Sequence, residues 1–158
     1  MNRVYLSLGS NIESELHLRA ALEELRSHFG ELAVSSAYRY AAVGFDGPDF
    51  INLAVGLDTD LTPAALNDWL HALEDRQGRR RDVPRFSSRT LDIDIVLFGD
   101  HVVSGPDNLH IPRAELKHAF VLQPLADIAA DVSHPQTGIS IAQLWRDCAD
   151  APGTRCAL

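Results

Sequence analysis

Residues 91–98 constrain the fold more than any other part of the chain, because their side chains divide between two faces with a period of two. One face is apolar and carries Leu91, Ile93, Ile95 and Leu97; the other carries Asp92, Asp94, Val96 and Phe98. A period of two is typical of a β-strand, in which successive side chains point to opposite sides of the sheet. The segment therefore predicts a strand with one core-facing side and a second side that bears two carboxylates.

The rest of the chain supplies the elements that such a strand needs around it. Strands are predicted at 4–8, 32–40 and 50–57, with one helix ending at Gly30 and a second beginning at Thr62-Pro63. A short hairpin through 102–103 and 109–111 and two weaker helices at 119–130 and 140–149 follow. This order predicts an α+β sandwich in a single domain over residues 1–158, with helices on one sheet face and the other face open.

The charge is distributed unevenly along the sequence. Fourteen basic and 22 acidic residues give a net charge of −8, which provides no global attraction to nucleic acid or to an anionic membrane. Five arginines nevertheless fall within eleven residues, at Arg79, Arg80, Arg81, Arg85 and Arg89. Guanidinium groups match phosphate oxygens two at a time, which favours a local anion site. The alternative is a solvated loop or a paired surface patch.

The two aspartates of the 91–98 strand predict a divalent-cation site. On a strand, Asp92 and Asp94 point the same way with their Cα atoms about 6.5 Å apart. Two adjacent carboxylates are unfavourable unless a cation neutralises them, and oxygen ligands of this kind suit Mg²⁺. The alternatives are that the pair is solvated, or that one aspartate pairs with an arginine. Carboxylates directly behind an arginine cluster favour phosphoryl-transfer chemistry.

The segment Arg89-Thr90-Leu91-Asp92-Ile93-Asp94-Ile95 closely resembles the central motif of the 6-hydroxymethyl-7,8-dihydropterin pyrophosphokinase family. Leu8-Gly9-Ser10-Asn11, Phe50-Ile51-Asn52 and residues 120–125 extend the resemblance in order over essentially the whole chain. The resemblance implies a ferredoxin-like α+β fold, with an antiparallel sheet, helices on one face and the active site on the other. It also implies transfer of pyrophosphate from ATP to the pterin hydroxymethyl group, with release of AMP.

The resemblance further implies roles for individual residues on the ATP side. Asp92 and Asp94 would hold two Mg²⁺ ions, and Arg79 and Arg89 would act in the chemical step. Arg81 and Arg85 match positions in a loop that closes over ATP. Further positions near the nucleotide correspond to His71, Glu74, Ile95 and His110.

On the pterin side, the resemblance assigns a hydrogen bond to the ring edge to Asn52 and ring stacking to Phe50 and Phe120. Val43 matches a position where backbone groups contact the pterin. For the two phenylalanines, core packing is the alternative interpretation.

Two positions depart from the family pattern in ways that concern the ATP phosphates. Arg113 stands where a histidine usually follows the proline, and His118 replaces an arginine. Milder changes are Phe50, often tyrosine, and Phe86, often tryptophan. These departures support a rival hypothesis, a divergent pterin-binding paralogue with an altered substrate or weak transfer.

The remaining expectations concern location and partners. The chain has two cysteines, no apolar run near the ~20 residues that cross a bilayer, and no signal-peptide core, which predicts a cytoplasmic protein. The resemblance implies a monomer whose partners are its small-molecule substrates. An RNA-binding module on the same sheet topology is a rival of another class, but Asp92 and Asp94 would repel a phosphate backbone.

Overall fold

The computed structural model describes residues 1–42, 44–78, 88–106 and 109–158. Its strands are β1 (Asn2–Ser10), β2 (Ala33–Val34), β3 (Ala37–Tyr40), β4 (Phe50–Thr59), β5 (Asp92–Phe98), β6 (Val103–Ser104), β7 (His110–Ile111) and β8 (Thr154–Cys156). Its helices are α1 (Ser14–Phe29), α2 (Pro63–Arg76), α3 (Ala119–Ala129) and α4 (Ile141–Arg146). The predicted hairpin, now β6–β7, and both weaker helices are confirmed.

The main sheet is antiparallel in every pairing and runs β5-β1-β4-β3-β8, with β2 also paired to β4. The predicted strand over 32–40 is interrupted, because Val34 pairs with Val55 while Tyr38 pairs with Asn52. From the first of these pairs to the second, the chain advances four positions on the β2–β3 side but only three positions on β4. The Ser35 hydroxyl accepts the Ala54 N–H at 2.8 Å, which keeps that backbone donor satisfied at the irregularity.

Helices α1 and α2 bury the first face of the sheet, where leucines of both helices meet Leu6, Leu8, Leu53 and Ile93. The second face is also partly covered, since α3 and α4 pack on Tyr5, Ala54, Val96 and Leu97. The α+β antiparallel architecture is confirmed, and the open part of the second face is confined to the ends of the central strands.

A bulge in β5 changes the predicted alternation of the 91–98 strand. Tyr5 pairs with Leu97 while Leu6 pairs with Ile95, so Val96 is an extra residue on β5. Beyond the bulge the faces are exchanged: Phe98 joins the first core and Leu97 joins the second. The expectation that Leu97 lies with Ile95, and Phe98 with Asp94, is therefore wrong. Upstream of the bulge the predicted faces hold.

Within the described residues, the structure contains no helix with the length and apolar character required to cross a membrane.

Candidate active site

The site forms where three neighbouring strands place polar residues in register on the second face. Gly9 of β1 pairs with Asn52 of β4 on one side and with Asp92 of β5 on the other. Directly opposed residues of antiparallel strands point to the same side of the sheet, so Asn52 and Asp92 share a face. In the next row of that face, Ser7 pairs with Asp94. The sheet thus brings the predicted pterin-binding amide beside the predicted metal ligands.

Gly9 allows the Asn52 side chain to lie across the central strand. A Cβ atom at Gly9 would sit 2.6 Å from Nδ2 of Asn52, well inside van der Waals contact. The Asn52 side chain is buried to 7% exposure, over the middle of the three strands. Sequence reasoning gave Gly9 no role of its own, since the close approach depends on strand register.

The Asp92 and Asp94 carboxylates form a crowded acidic pair. Burial, followed by the charge of Asp92, raises the pKa of Asp94 well above its ordinary value, and the Arg113 guanidinium opposes the rise. Glu74 and Glu115 add further negative charge near Asp94. This set of carboxylate oxygens fits a hard divalent cation such as Mg²⁺. No group of three or more metal-ligating side chains occurs among the described residues, so water or substrate oxygens would complete the coordination.

Because of this crowding, the ionised Asp94 carboxylate lowers the free energy of unfolding. An acid whose pKa is raised by folding lets the unfolded chain lose its proton first, so stability falls as pH rises above the ordinary aspartate value. We expect Asp94→Asn to raise the free energy of unfolding at pH 7.5 by on the order of 1 kcal/mol. The gain should shrink as pH falls and vanish near about pH 3, where Asp94 is largely protonated in both states. Urea unfolding at both pH values with chelator present measures it, and an equal gain at about pH 3 would contradict this account.

Glu74 supports the aspartate-bearing strand from the outer edge of the sheet. The side chain is 2% exposed, and its carboxylate accepts the Ile93 N–H at 2.8 Å, between Asp92 and Asp94. β5 is an edge strand, so this backbone donor has no strand partner on that side. Glu74 was predicted near the nucleotide; the structure uses its carboxylate to hold β5 on α2.

The other residues predicted near the nucleotide are dispersed. His71 lies one turn before Glu74 and is half-buried, and His110 is exposed with Nδ1 3.4 Å from the Ser104 hydroxyl. The Ile95 side chain is buried in the first core, on the sheet face opposite the aspartates. Predictions that lie outside the described residues concern Val43, Arg79, Arg81 and Arg85.

Arg113 faces the aspartate pair. Its guanidinium lies 3.6 Å from Oδ1 of Asp94 and donates through Nε to Oε2 of Glu115 at 2.9 Å. The alternative left open by the sequence, that an aspartate pairs with an arginine, thus describes Asp94 here.

The loop that carries Arg89 is held by Asn11. The Arg89 N–H donates to Oδ1 of Asn11 at 2.7 Å, and the Asn11 N–H donates to the Arg89 carbonyl at 3.0 Å. Nδ2 of the same amide donates to the Pro48 carbonyl and to the Ser88 hydroxyl. Asn11, 4% exposed, therefore ties three loops together beside the aspartates. The motif containing Asn11 was recognised in the sequence, but this role was not.

The two predicted stacking residues lie on different elements. Phe50 begins β4 and packs edge-on against Phe45, with ring centroids 6.5 Å apart. Phe120 lies in the first turn of α3 and packs against the second core. Tyr40, which pairs with Phe50 across the strands, donates its hydroxyl to the Ala119 carbonyl and to Oε1 of Gln123. This contact brings the start of α3 to the strand that carries Phe50.

His118 is held at the start of α3 by an acidic partner. Its Nδ1 lies 3.1 Å from Oδ2 of Asp150, which also accepts the Ala119 N–H at 3.0 Å. The His118 ring stacks on Phe120 with centroids 5.6 Å apart and planes within 12°. Those two hydrogen bonds lower the pKa of Asp150, as expected for a carboxylate at a helix N-terminus.

Comparisons with known proteins identify one family. The profile of the family 7,8-dihydro-6-hydroxymethylpterin-pyrophosphokinase (HPPK) matches residues 5–130. The 2-amino-4-hydroxy-6-hydroxymethyldihydropteridine pyrophosphokinase of Pseudomonas aeruginosa is 41% identical over 153 residues, covering 94% of this chain and 93% of the relative. The enzyme of the same name from Haemophilus influenzae is 36% identical over 155 residues, covering 95% of each chain.

A solved structure shows the same fold at low sequence identity. The crystal structure of wild-type Plasmodium falciparum HPPK-DHPS matches 92% of this chain with a TM-score of 0.72 and 15% identity. The present chain spans 44% of that longer chain. The family resemblance predicted from the sequence is confirmed: the chain belongs to the 7,8-dihydro-6-hydroxymethylpterin-pyrophosphokinase family.

Proposed function

We infer that the protein transfers pyrophosphate from ATP to the hydroxymethyl group of 6-hydroxymethyl-7,8-dihydropterin and releases AMP, a step of folate biosynthesis. One observation carries this proposal beyond the family match. The register Asn52–Gly9–Asp92 places an amide that can read a heterocycle edge next to carboxylates that can hold a metal–phosphate group. Proximity of this kind supplies a large share of the rate in group transfer.

On the phosphate side, Asp92 and Asp94 would hold two Mg²⁺ ions, with Glu74 fixing their strand. When bound, Mg²⁺ supplies neutralisation of the phosphate charge and in-line orientation. The chain's own contribution is to position the carboxylates on one rigid strand and to present guanidinium groups to the phosphates. Arg89 and Arg79 are proposed for the charge that develops in the chemical step.

The remaining phosphate and nucleotide contacts are proposed for His71, Arg81, Arg85, His110, Arg113 and His118. For His118, the Asp150 pair supports a ring orientation fixed through Nδ1, which leaves Nε2 as the nitrogen available to an anion.

On the pterin side, the Asn52 amide offers both a donor and an acceptor to the ring edge. Its burial over Gly9 supports a fixed orientation of this amide towards a ligand. Phe50 and Phe120 are proposed to stack on the two ring faces, and Val43 to contact the ring through its backbone.

The identity of the nucleotide product, AMP or ADP, tests the proposal. Protein, Mg²⁺, ATP and the reduced hydroxymethylpterin are incubated, and nucleotides are separated by chromatography. We expect AMP in a 1:1 ratio with pterin diphosphate, and no AMP when chelator replaces Mg²⁺. Formation of ADP would contradict pyrophosphoryl transfer. Pterin binding without AMP would favour the divergent paralogue.

The same proposal includes a single domain acting as a monomer in the cytoplasm. Size-exclusion chromatography with light scattering at the concentration of the assay tests the oligomeric state.

Gly9→Ala tests the link between strand register and pterin recognition. The new methyl group meets Nδ2 of Asn52 at 2.6 Å, so the amide must leave its place while the backbone stays. We expect pterin affinity to fall about tenfold or more, as for loss of hydrogen bonds in a buried site. Affinity for a non-hydrolysable ATP analogue should be unchanged.

Asn52→Ala is the matched control for this prediction. If Gly9→Ala acts by displacing the amide, the double variant should bind pterin no more weakly than Asn52→Ala alone. Additive losses would show that Gly9→Ala acts elsewhere. Fluorescence titration of the pterin measures all four proteins.

A further inference from the structure

Arg113 is anchored close to the aspartate pair by its backbone as well as by its side chain. Its N–H donates to the Val96 carbonyl at 3.1 Å, which fixes the residue beside the bulge of β5, two positions beyond Asp94. The guanidinium is 21% exposed and reaches back to the carboxylate. Arg113 is thus held as a cation beside Asp94 by the fold itself, and the short β7 strand delivers it there.

The contacts of Arg113 with Glu115 and with Asp94 are unequal. The bond from Nε to Glu115, at 2.9 Å, is a charge-assisted hydrogen bond. The 3.6 Å separation from Asp94 is beyond hydrogen-bond distance, so that contact is held by charge attraction alone. Glu115 therefore anchors the guanidinium. The contact with Asp94 is the weaker of the two, so another cation can replace the guanidinium at Asp94 at a smaller cost in free energy.

The charge around this contact is unbalanced. Asp92, Glu74 and Glu115 all add negative charge at Asp94, and among the described residues Arg113 adds positive charge that opposes them. A divalent cation entering the pair would meet the same carboxylate that Arg113 faces and would be repelled by the guanidinium. Triphosphate oxygens arriving with the metal would offer the guanidinium an alternative anion.

We propose that Arg113 is an internal counter-cation of the Asp92/Asp94 pair, which weakens metal binding by the nucleotide-free protein and couples metal binding to the arrival of phosphate. The inference rests on the proposed metal-binding role of the aspartates. It adds that Arg113 sets the order of events: the guanidinium offsets part of the charge of the pair until phosphate draws it away. By linkage, the metal strengthens nucleotide binding by the same factor as the nucleotide strengthens metal binding.

The experiment measures Mn²⁺ binding by electron paramagnetic resonance, with the full chain and no nucleotide. Removing a positive charge this close to the metal position should tighten Mn²⁺ binding by Arg113→Ala about tenfold relative to wild type. Arg113→Lys keeps the charge and should remain within about threefold of wild type. Arg3→Ala removes an arginine that pairs with Asp58 at the other end of β1, and should change nothing.

A second titration adds a saturating non-hydrolysable ATP analogue. The nucleotide should tighten Mn²⁺ binding by wild type several-fold more than it does for Arg113→Ala, because the variant has no guanidinium to release. Equal or weaker Mn²⁺ binding by nucleotide-free Arg113→Ala would overturn the inference, as would binding that survives Asp94→Asn in the variant. Neither result would touch the proposed function, which fails separately if wild type forms no AMP.

Discussion

Replacing Asp92 or Asp94 with alanine should lower AMP formation more than ~100-fold, since each change would remove a ligand of the proposed metal site, on which the transition state would depend. The loss should appear in the turnover number at saturating ATP and pterin, measured by quantifying AMP. The fold should persist, because both side chains lie on the open part of the second face and neither belongs to a hydrophobic core.

Asp100→Ala is the matched control. Asp100 is an exposed aspartate in the turn directly after β5, so it tests loss of a carboxylate from the same region without loss of a site residue. Its activity should match wild type, and all three variants should show wild-type circular dichroism. Near-normal AMP formation by either Asp92→Ala or Asp94→Ala would contradict the proposed metal site on β5.

Arg89→Ala should slow the chemical step by roughly 30- to 1,000-fold, as expected when a charge-assisted contact worth ~2–4 kcal/mol in the transition state is lost. Binding of a non-hydrolysable ATP analogue should weaken much less. The Arg89 backbone is fixed by Asn11, so the loop should keep its place when the side chain is removed. Single-turnover quench-flow separates the chemical rate from nucleotide affinity.

Arg76→Ala provides the comparison for Arg89. Arg76 ends α2, where it pairs with Glu24 and lies over the Trp69 ring, away from the aspartates. It should leave both the chemical rate and nucleotide affinity unchanged. An Arg89→Ala effect confined to nucleotide affinity would make Arg89 a binding residue and not a catalytic one.

The sequence predicted the elements that depend on local pattern. The period of two over 91–96 and the start at Thr62-Pro63 both reflect constraints within a few residues, and Thr62 caps α2 by accepting the Ala65 N–H at 3.1 Å. The bulge at Val96 could not be predicted in this way. It depends on how Tyr5 and Leu6 of a distant strand pair with β5, and it exchanges the faces of Leu97 and Phe98.

The same distinction between local pattern and distant contacts separates the site features that could be predicted from those that could not. Residue types that carry chemistry, such as the Asp92/Asp94 pair, were visible because alternation on one strand fixes their shared direction. The positional roles of other residues were not. Gly9 matters because Asn52 crosses it, Glu74 because an edge strand leaves Ile93 N–H open, and Asn11 because three loops converge. Each depends on contacts between segments far apart in sequence.

The Asn52–Gly9–Asp92 register also fixes a distance within the candidate site. Adjacent strands are separated by about 4.8 Å, a backbone dimension that no side-chain substitution alters. Because the Asn52 amide lies over Gly9, the step from this amide to the strand that carries Asp92 is one such spacing. If Asn52 binds the heterocycle and Asp92 holds the metal, as proposed, an acceptor alcohol with one more carbon between ring and hydroxyl would overshoot that step. A change of that spacing would need a change in strand pairing, and a slip of one residue would turn the aspartates into the core. The distance between the two proposed halves of the site is thus set by the backbone, while Gly9 decides whether the Asn52 amide can lie over the central strand.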